Sequence, residues 1–342
     1  MSELQTTKIT DRAGTGSPNF SQGFKVAGTL DTTLVPTRTE GNTEPATPVN
    51  GDTWYDTDND TYDVYINGEW KRFLGDIPFT GWIVDPSNLT YDNVSFSVSS
   101  QENRPYGIAF NNAGTKMYIV GSNTDTVYQY SLSTAFNVST ASYDSVSFSI
   151  ASQETLPHDV AFNADGTKMY IVGNINDTVY QYSLSTAFNL STASYDNVSF
   201  SAASQESSVT NIEFNTDGTK MYIIGHGSDN VHQYTLSTAF NVGTASYDNV
   251  SFSIASQDDT PFDIAFNNAG VKMYLVGWGS DTVHRYTLST AFDISTASYD
   301  SVSFSVGSQD GQPVGLEFNS DGTKMYILGY ATDTVYQYST GL

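Results

Sequence analysis

Carboxylates on one strand of a repeated unit are the residues of this sequence whose type and placement could support catalysis. Asp159, Glu213, Asp263 and Glu317 each fall in a short apolar strand of the repeat described below. Paired carboxyl groups with separated pKa values perform glycoside hydrolysis. Against that chemistry, the five repeats are near-copies, and the four histidines fall in loops or in one strand without a candidate nucleophile beside them. We therefore predict that the chain has no catalytic residues and is not an enzyme.

Two further sets of acids recur in every repeat and bear on metal binding. The first set follows a glutamine and comprises Glu102, Glu154, Glu206, Asp258 and Asp310. The second set comprises Asp125, Asp177, Asp229, Asp281 and Asp333. Oxygen ligands suit Ca²⁺, but acids present in every repeat more often fix turns by accepting backbone N–H groups. We favour the structural role and predict no metal, also at Asp56–Asp58–Asp60, where an EF-hand-like start lacks the later glycine and glutamate.

The positions at which the five repeats differ provide the candidate binding residues. Two connections barely change between the copies, whereas two others differ in each copy. The variable connections contain Arg104, Tyr106, His158, His226, Phe262, Trp278 and Tyr330. Aromatic and imidazole side chains at loop tips can stack on a sugar or bind a protein. We predict that these seven residues form a ligand-binding face, the alternative being drift at tolerant loops.

Composition limits the class of partner. The 342 residues include 13 Lys plus Arg against 37 Asp plus Glu, a formal net charge of −24, so nucleic acid and anionic membrane surfaces are excluded as partners. Aromatic residues make up 13% and charged residues only 15%, which indicates a folded chain rather than a disordered acidic one. The absence of cysteine excludes disulfides and thiolate metal sites, and we expect no cofactor. We find no long apolar run and no secretory signal.

A repeat of 52 residues predicts the elements that position these side chains. Phe110, Phe162, Phe214, Phe266 and Phe318 recur at this spacing. Each copy reads as four strands, a to d, which in the second copy lie near HDVAF, KMYIVG, TVYQYSL and NVSFSAA. A lone strand d at residues 91–99 opens the array, and strands a to c close it. We therefore predict an all-β, five-bladed β-propeller whose ring is closed by the N-terminal strand.

In such a propeller the d–a and b–c loops emerge on one face and the a–b and c–d connections on the other. All seven candidate binding residues belong to the first of these, which we call the variable face; the opposite one is the uniform face. The five lysines after the a–b turns are expected to neutralise neighbouring acids such as Asp144 on the uniform face.

The first 78 residues differ from the repeats. Residues 1–45 are rich in Thr, Gly, Ser and Pro and predict an extended docking arm. Residues 46–78 predict a small β-hairpin module with turns at Asp58–Asn59–Asp60 and Asn67–Gly68, and the propeller occupies residues 79–342.

Three segments carry a resemblance to known proteins. GDTWYDTDNDTYDVYINGEWKRF resembles a small hairpin of bacteriophage tail fibres and other virion proteins, and KITDRAGTGSPNFSQGF is similar to their N-terminal attachment segments, especially in marine phages. The repeat, with P-x-x-[IV]-A-F-N-x-x-G-T-K-M-Y and DTVYQYSLSTAF, resembles propeller repeats of marine bacterial surface proteins and phage structural proteins.

The resemblance implies a non-enzymatic virion structural protein that is displayed in the manner of a tail fibre. Other virion proteins would hold residues 1–78, and the propeller would bind a glycan or protein of the host surface, as a homo-oligomer in a particle assembled in the host cytoplasm. A capsid head-fibre or decoration protein, a lectin-like bacterial surface propeller and a glycan-active hydrolase are the alternatives.

Overall fold

The computed structural model describes residues 82–342 without a gap and, before them, the strands at 38–41, 53–56, 61–66 and 69–74. The chain divides into two compact units, Met1–Phe79 and Thr80–Leu342. Across the described residues, no helix has both the length and the apolarity needed to cross a membrane.

The first unit contains one four-stranded sheet. Its strands, in the order in which they lie side by side, are β1 (Arg38–Gly41), β2 (Thr53–Asp56), β3 (Thr61–Ile66) and β4 (Glu69–Leu74). The antiparallel pairs β2–β3 and β3–β4 are the hairpins that the turn residues predict. The parallel pair β1–β2 was not predicted, because residues 38–41 were assigned to the arm. The rest of the arm, and residues 57–60 of the acidic run, lie outside the described residues.

The second unit consists of five four-stranded antiparallel sheets, which confirms the five-bladed propeller. The strand that precedes the blades is β5 (Thr90–Ser97). The first blade comprises β6 (Pro105–Phe110), β7 (Lys116–Gly121), β8 (Thr126–Leu132) and β9 (Ala141–Ser149), and the second comprises β10 (Pro157–Phe162), β11 (Lys168–Gly173), β12 (Thr178–Leu184) and β13 (Ala193–Ser201). The third comprises β14 (Val209–Phe214), β15 (Lys220–Gly225), β16 (Asn230–Leu236) and β17 (Ala245–Ser253), and the fourth comprises β18 (Pro261–Phe266), β19 (Lys272–Gly277), β20 (Thr282–Leu288) and β21 (Ala297–Ser305). The fifth contains β22 (Pro313–Phe318), β23 (Lys324–Gly329) and β24 (Thr334–Ser339).

Strand d is longer than the sequence predicts. In the second blade it begins at Ala193 rather than at Asn197, and a register shift opposite Gln181 and Tyr182 interrupts its pairing with β12. Asn197 adopts a positive φ of 57° there. A single 3₁₀ turn precedes each of these outer strands, at Pro86–Asn88, Val138–Thr140, Leu190–Thr192, Val242–Thr244 and Ile294–Thr296.

The ring closes through β5, as predicted. Strand β24 pairs with β5 in antiparallel register, with Val335 opposite Phe96 and Ser339 opposite Thr90. The first strand of the propeller therefore supplies the outer strand of the fifth blade, and backbone hydrogen bonds join the two ends of the array.

Residues 82–89 complete the fifth blade in a way that the repeat did not predict. In the first four blades, a phenylalanine of the c–d connection fills the space beside the positive-φ glycine of the a–b turn, for example Phe188 at Gly166. Beside Gly322 of the fifth blade, Trp82 takes this place and packs on Phe318, with ring centroids 4.8 Å apart. The Tyr274 hydroxyl donates to the Val84 carbonyl at 3.0 Å, as the equivalent tyrosines donate to phenylalanine carbonyls.

The core lies between neighbouring blades. In β7, Tyr118 and Val120 pack against the second blade, whereas Met117 and Ile119 pack against the fifth, because side chains alternate along a strand. On the uniform face each repeated lysine pairs with an aspartate of the outer strand, as predicted: Lys116 donates to Asp144 at 2.6 Å. Strand a is the innermost strand of each blade, and its residues that do not pack between blades line the axis of the ring.

Candidate functional site on the propeller axis

Six of the seven residues predicted to bind a ligand meet in one cluster, to which all five blades contribute. The members of this aromatic cluster are Tyr106, His158, His226, Phe262, Trp278 and Tyr330. Phe262 stacks on Trp278 with centroids 4.5 Å apart, and Trp278 in turn lies 5.4 Å from Tyr330. Tyr106 of the first blade lies 6.1 Å from Phe262 of the fourth, so the cluster spans the axis. Arg104, exposed in its loop, is not part of it.

The cluster is more deeply seated than loop tips would be. Tyr106, His158 and Phe262 belong to the innermost strands β6, β10 and β18, at their second residue. His158 and Phe262 are only 4% and 3% exposed, while Tyr106, Trp278 and Tyr330 are half-buried. The prediction of loop-tip positions is therefore wrong for these three strand residues, because each strand a begins directly after its variable loop.

His158 is held as a neutral imidazole in one tautomer. Its Nδ1 lies 3.1 Å from the Val209 carbonyl oxygen, which can only accept, so Nδ1 carries the hydrogen. Burial, together with the neighbouring His226, lowers the pKa of His158 to about 3. The Nε2 atom is then an unprotonated acceptor, available to a ligand hydroxyl.

Four acids lie on the innermost strands β10, β14, β18 and β22, and we call Asp159, Glu213, Asp263 and Glu317 the axial acids. Asn211 joins two of them, because its Nδ2 donates to Asp159 Oδ2 at 2.9 Å and to Asp263 Oδ1 at 2.6 Å. Each aspartate also accepts a backbone N–H from the next blade: Ile212 to Asp159 at 3.1 Å, and Leu316 to Asp263 at 2.6 Å. The carboxyls thus link the innermost strands of neighbouring blades, from the second blade to the fifth.

Glycines at the equivalent positions make this arrangement possible. Gly107 and Gly315 stand in the first and fifth blades where Asp159, Asn211 and Asp263 stand in the other three. A Cβ on Gly107 would lie 2.7 Å from the Asp159 Cα, so a side chain there would push the second blade away from the axis.

The axial acids border a cavity of about 30 Å³, also lined by Ile108 and Leu316. Asn211 Oδ1, buried in this lining, has no hydrogen-bond partner in the described structure. A space of this size accommodates one water molecule, which would satisfy that oxygen. The cavity is too small for a sugar ring.

Asp159 and Asp263 are 5% and 4% exposed, whereas Glu213 and Glu317 are half-buried, and loss of contact with water raises the pKa of all four axial acids. It brings the pKa of Asp159 to about 7, and burial together with the charge of Asp159 brings that of Glu317 to about 8. The pKa values of Asp263 and Glu213 are also held well above the ordinary range, by burial and by the other axial acids. Raised pKa values of this kind bring carboxyls toward the range in which they can serve as general acids or bases near neutral pH.

The first recurring acid set on the variable face accepts backbone N–H groups, as expected, whereas in the second set Asp125, Asp229 and Asp281 each have a buried Oδ1 with no hydrogen-bond partner in the described structure. Glu206 accepts from the backbone N–H groups of Ser208 and Gly227, both at 2.9 Å, and thereby ties the d–a loop to the b–c loop. The equivalent Glu154 accepts only from its own loop, and its Oε2 has no partner in the described structure. The second set adopts positive φ values of 45–52° in the b–c turns. Among the described residues, no group of three or more His, Asp or Glu side chains is arranged to hold a metal ion.

Sequence reasoning placed the axial acids on the innermost strands but did not combine them into a site. An alignment of the five repeats gives Gly, Asp, Asn, Asp and Gly at one position, and Ala, Ala, Glu, Ala and Glu two residues later. These two columns carry the signal, because polar residues are unexpected at apolar strand positions near the axis.

One family of proteins matches the chain. The model of the family described as "Lactonase, 7-bladed beta-propeller" matches residues 97–292, which is more than half of the chain. The present structure has five blades rather than seven. No curated protein matches the chain.

Solved structures show only distant similarity. A Bacteroides uniformis protein provisionally described as a 6-phosphogluconolactonase has 12% identity and a TM-score of 0.44, over 65% of this chain and 63% of that one. A protein of the same provisional description from Bacteroides fragilis has 13% identity and a TM-score of 0.43, over 82% of this chain and 74% of that one. The chain thus spans less than two thirds of the first of these, and similarity at this level supports no argument about function.

The family match corrects one prediction. The near-identity of the repeats suggested that the chain is not an enzyme, and this prediction is wrong by the match over residues 97–292. Near-identical blades do not exclude a catalytic arrangement, because the sequence differences between the five repeats are concentrated at two positions of strand a and in the variable loops.

Proposed function

The chain belongs to the lactonase family of β-propellers, and from this premise we propose that it is a hydrolase that opens a sugar-derived lactone ring on the propeller axis. One observation carries the proposal: an aromatic cluster lies at the same end of the strands as two buried carboxyls, Asp159 and Asp263, which are joined by Asn211.

Lactone hydrolysis needs a base and an acid. Water adds to the ring carbonyl carbon while a carboxylate takes its proton, and the ring C–O bond then breaks as a carboxylic acid protonates the departing oxygen. Asp159 supplies the carboxylate and Asp263 supplies the acid: burial raises the pKa of both, and the charge of Asp159 raises that of Asp263 further. Repulsion between like charges favours a state in which one carboxyl is ionised and the other protonated.

The substrate ring binds at the aromatic cluster rather than in the axial cavity. The cavity of about 30 Å³ has room for the attacking water only. Tyr106, His158 and Phe262 cover the axis, so their side chains must separate when the ring approaches the acids. Such a movement of side chains is an expected step before the chemistry.

Hydrolysis of neutral sugar lactones, followed by the acid released at constant pH, tests the proposal. Asp263→Asn should lower kcat at least about a hundredfold, the usual contribution of a general acid. The matched control is Asp196→Asn, which makes the same change of a carboxyl to an amide at the Lys168 ion pair on the uniform face and should keep kcat. The proposal is overturned if the parent opens no lactone, or if Asp263→Asn is as active as the parent.

A second proposal concerns where the enzyme works. We infer that it is carried on a phage particle, held by other virion proteins through residues 1–78 as a homo-oligomer, and that the propeller faces a glycan or protein of the host surface. The resemblance of GDTWYDTDNDTYDVYINGEWKRF and of the opening segment to tail-fibre proteins supports it. A capsid head fibre or decoration protein is the alternative position, and a bacterial surface propeller the alternative source.

Electron microscopy of virions labelled with antibodies against residues 90–342 distinguishes these locations. Label on the tail fibres supports the proposal as stated, and label on the head moves the protein to the capsid. Label confined to the surface of uninfected bacteria overturns a phage origin.

A further inference from the structure

The loops around the aromatic cluster carry almost exclusively negative charge. Besides the two recurring acid sets, the fourth blade adds Asp259, which has no counterpart in the other four repeats. Across the described d–a and b–c loops, Arg104 is the one lysine or arginine. The acids influence one another, since Asp258 and Asp310 add to the effect of burial in raising the pKa of Asp281. A ligand at the cluster therefore enters a negative potential.

Asp259 stands beside the main stacking surface. It is exposed, and a Cβ on Gly279, the residue after Trp278, would lie 2.3 Å from Asp259 Oδ1. The carboxylate is thus adjacent to the loop that presents the half-buried indole of Trp278, on which Phe262 stacks. An aromatic face with a carboxylate at its edge favours a cation, because the ring quadrupole and the carboxylate attract it together.

The indole adds a directional feature. Trp278 Nε1 is buried and has no hydrogen-bond partner in the described structure. A ligand that bears an ammonium group could pair it with the exposed carboxylate of Asp259. An anionic ligand would instead meet Asp259 and the recurring acids with Arg104 as its one neighbouring cation.

We propose that the ring bound by this site bears a free ammonium group, so that the ligand class is an amine-bearing sugar whose ring stacks on Trp278 and whose ammonium pairs with Asp259. The inference rests on the proposed function only in taking the aromatic cluster as the ring-binding site. It excludes phosphorylated and uronic-acid sugars as the preferred ligands.

Calorimetric titration of the full chain in mildly acidic buffer of low ionic strength tests the inference. Three tetrasaccharides serve as probes: one of glucosamine, one of N-acetylglucosamine and one of galacturonic acid. The glucosamine probe should bind about tenfold more tightly than the acetylated one, with an affinity that falls as salt is added, and the galacturonic acid probe should bind most weakly.

Two variants separate the charge effect from the stacking. Asp259→Asn should reduce the preference for the glucosamine probe to within about threefold, whereas Asp217→Asn, a matched change in an exposed turn of the uniform face, should leave it intact. Equal binding of the glucosamine and acetylated probes, or a preference unchanged in Asp259→Asn, overturns the inference while leaving the ring-binding site in place. Undiminished binding to Trp278→Ala, or no binding of any probe, overturns the site and the inference together.

Discussion

At the scale of single residues, two tryptophans of the propeller illustrate opposite roles of the same side chain. Trp82 fills the space beside Gly322, where the first four blades use a phenylalanine, and packs between Tyr274 and Phe318. Trp278 differs from its counterparts in every repeat and is covered on one side by Phe262. The first fills a space that a phenylalanine fills in the other blades, whereas the second is the residue on which we propose that a ligand stacks.

Trp278→Ala should weaken glycan binding about thirtyfold, because loss of an aromatic anchor typically costs about 2 kcal/mol. Folding should survive with a small loss of stability, since the indole is half-buried and stacks on only part of the cluster. The control is Trp82→Ala, which leaves a space between blades and should lower the free energy of unfolding by about 3–5 kcal/mol. Titration with the glycan and thermal unfolding measure the two effects, and a Trp278→Ala protein that binds like the parent would show that the variable face is not the binding face.

The residues that could be predicted are those whose signal lies within one repeat. Divergence among the five copies identified all six members of the aromatic cluster, because variable loops of a propeller converge on one face. The contact of Tyr106 with Phe262 could not be predicted, since it depends on the width of the central channel between the five blades. Likewise, the sequence places Asp159 and Asp263 on inner strands but cannot show that one amide, from Asn211, bridges them.

At the scale of elements, the fifth blade is assembled from three separate parts of the sequence. Strands β22 to β24 supply its inner and middle strands, β5 supplies the outer strand, and residues 82–89 supply the packing that a c–d connection gives elsewhere. The orphan strand was predictable from the repeat, whereas the role of Trp82 was not. Val84, and not Trp82, stands 52 residues before Phe136, so the spacing of the repeat does not identify Trp82 as the residue that fills this space.

A series of N-terminal truncations tests this assembly. Removal of residues 1–78 should leave the melting temperature of the propeller within a few degrees of the parent, because Trp82 and β5 remain. Removal of residues 1–88 should destabilise the ring by about 3–5 kcal/mol through loss of the Trp82 packing. Removal of residues 1–100 should abolish cooperative unfolding, because β24 then has an unpaired edge and exposed apolar neighbours.

Circular dichroism during heating distinguishes the three proteins. Identical melting curves for the 1–78 and 1–100 deletions would contradict closure of the ring by β5. Identical curves for the 1–78 and 1–88 deletions would contradict the packing role of residues 82–88 and would leave the closure of the ring by β5 intact.

At the scale of the whole molecule, acids in two environments give stability opposite dependences on pH. The axial acids have pKa values above those of the unfolded chain, so the unfolded state loses its protons first as pH rises. Their contribution to stability is therefore fully present below about pH 4 and is lost toward pH 7–8. Asp196 is the reverse case: burial alone would raise its pKa, but bonds from Lys168, Ser183 and Gln181 lower it, so its contribution is lost only in stronger acid.

The melting temperature should accordingly fall between about pH 5 and about pH 8, and less so in a double variant, Asp263→Asn with Glu317→Gln. Comparison with the double variant is needed because the net charge of −24 also makes the folded chain repel itself more as pH rises. Asp196→Asn serves as the control and should leave the slope in this range unchanged. A double variant with the same slope as the parent would mean that the axial acids ionise as freely in the folded state as in the unfolded one.

The pairing of β24 with β5 also determines when this protein can become a closed ring during its synthesis. Gln337 of β24 donates to Asp92 of β5 across 245 positions of sequence, so the partner of β5 leaves the ribosome long after β5 itself. At about 5–20 residues per second, β5 waits on the order of 10–50 s with an unpaired edge. During this interval four blades can form while the ring stays open. The polar residues of β5, among them Asp92, Asn93, Ser95 and Ser97, then disfavour pairing of its open edge with a neighbouring copy of the chain.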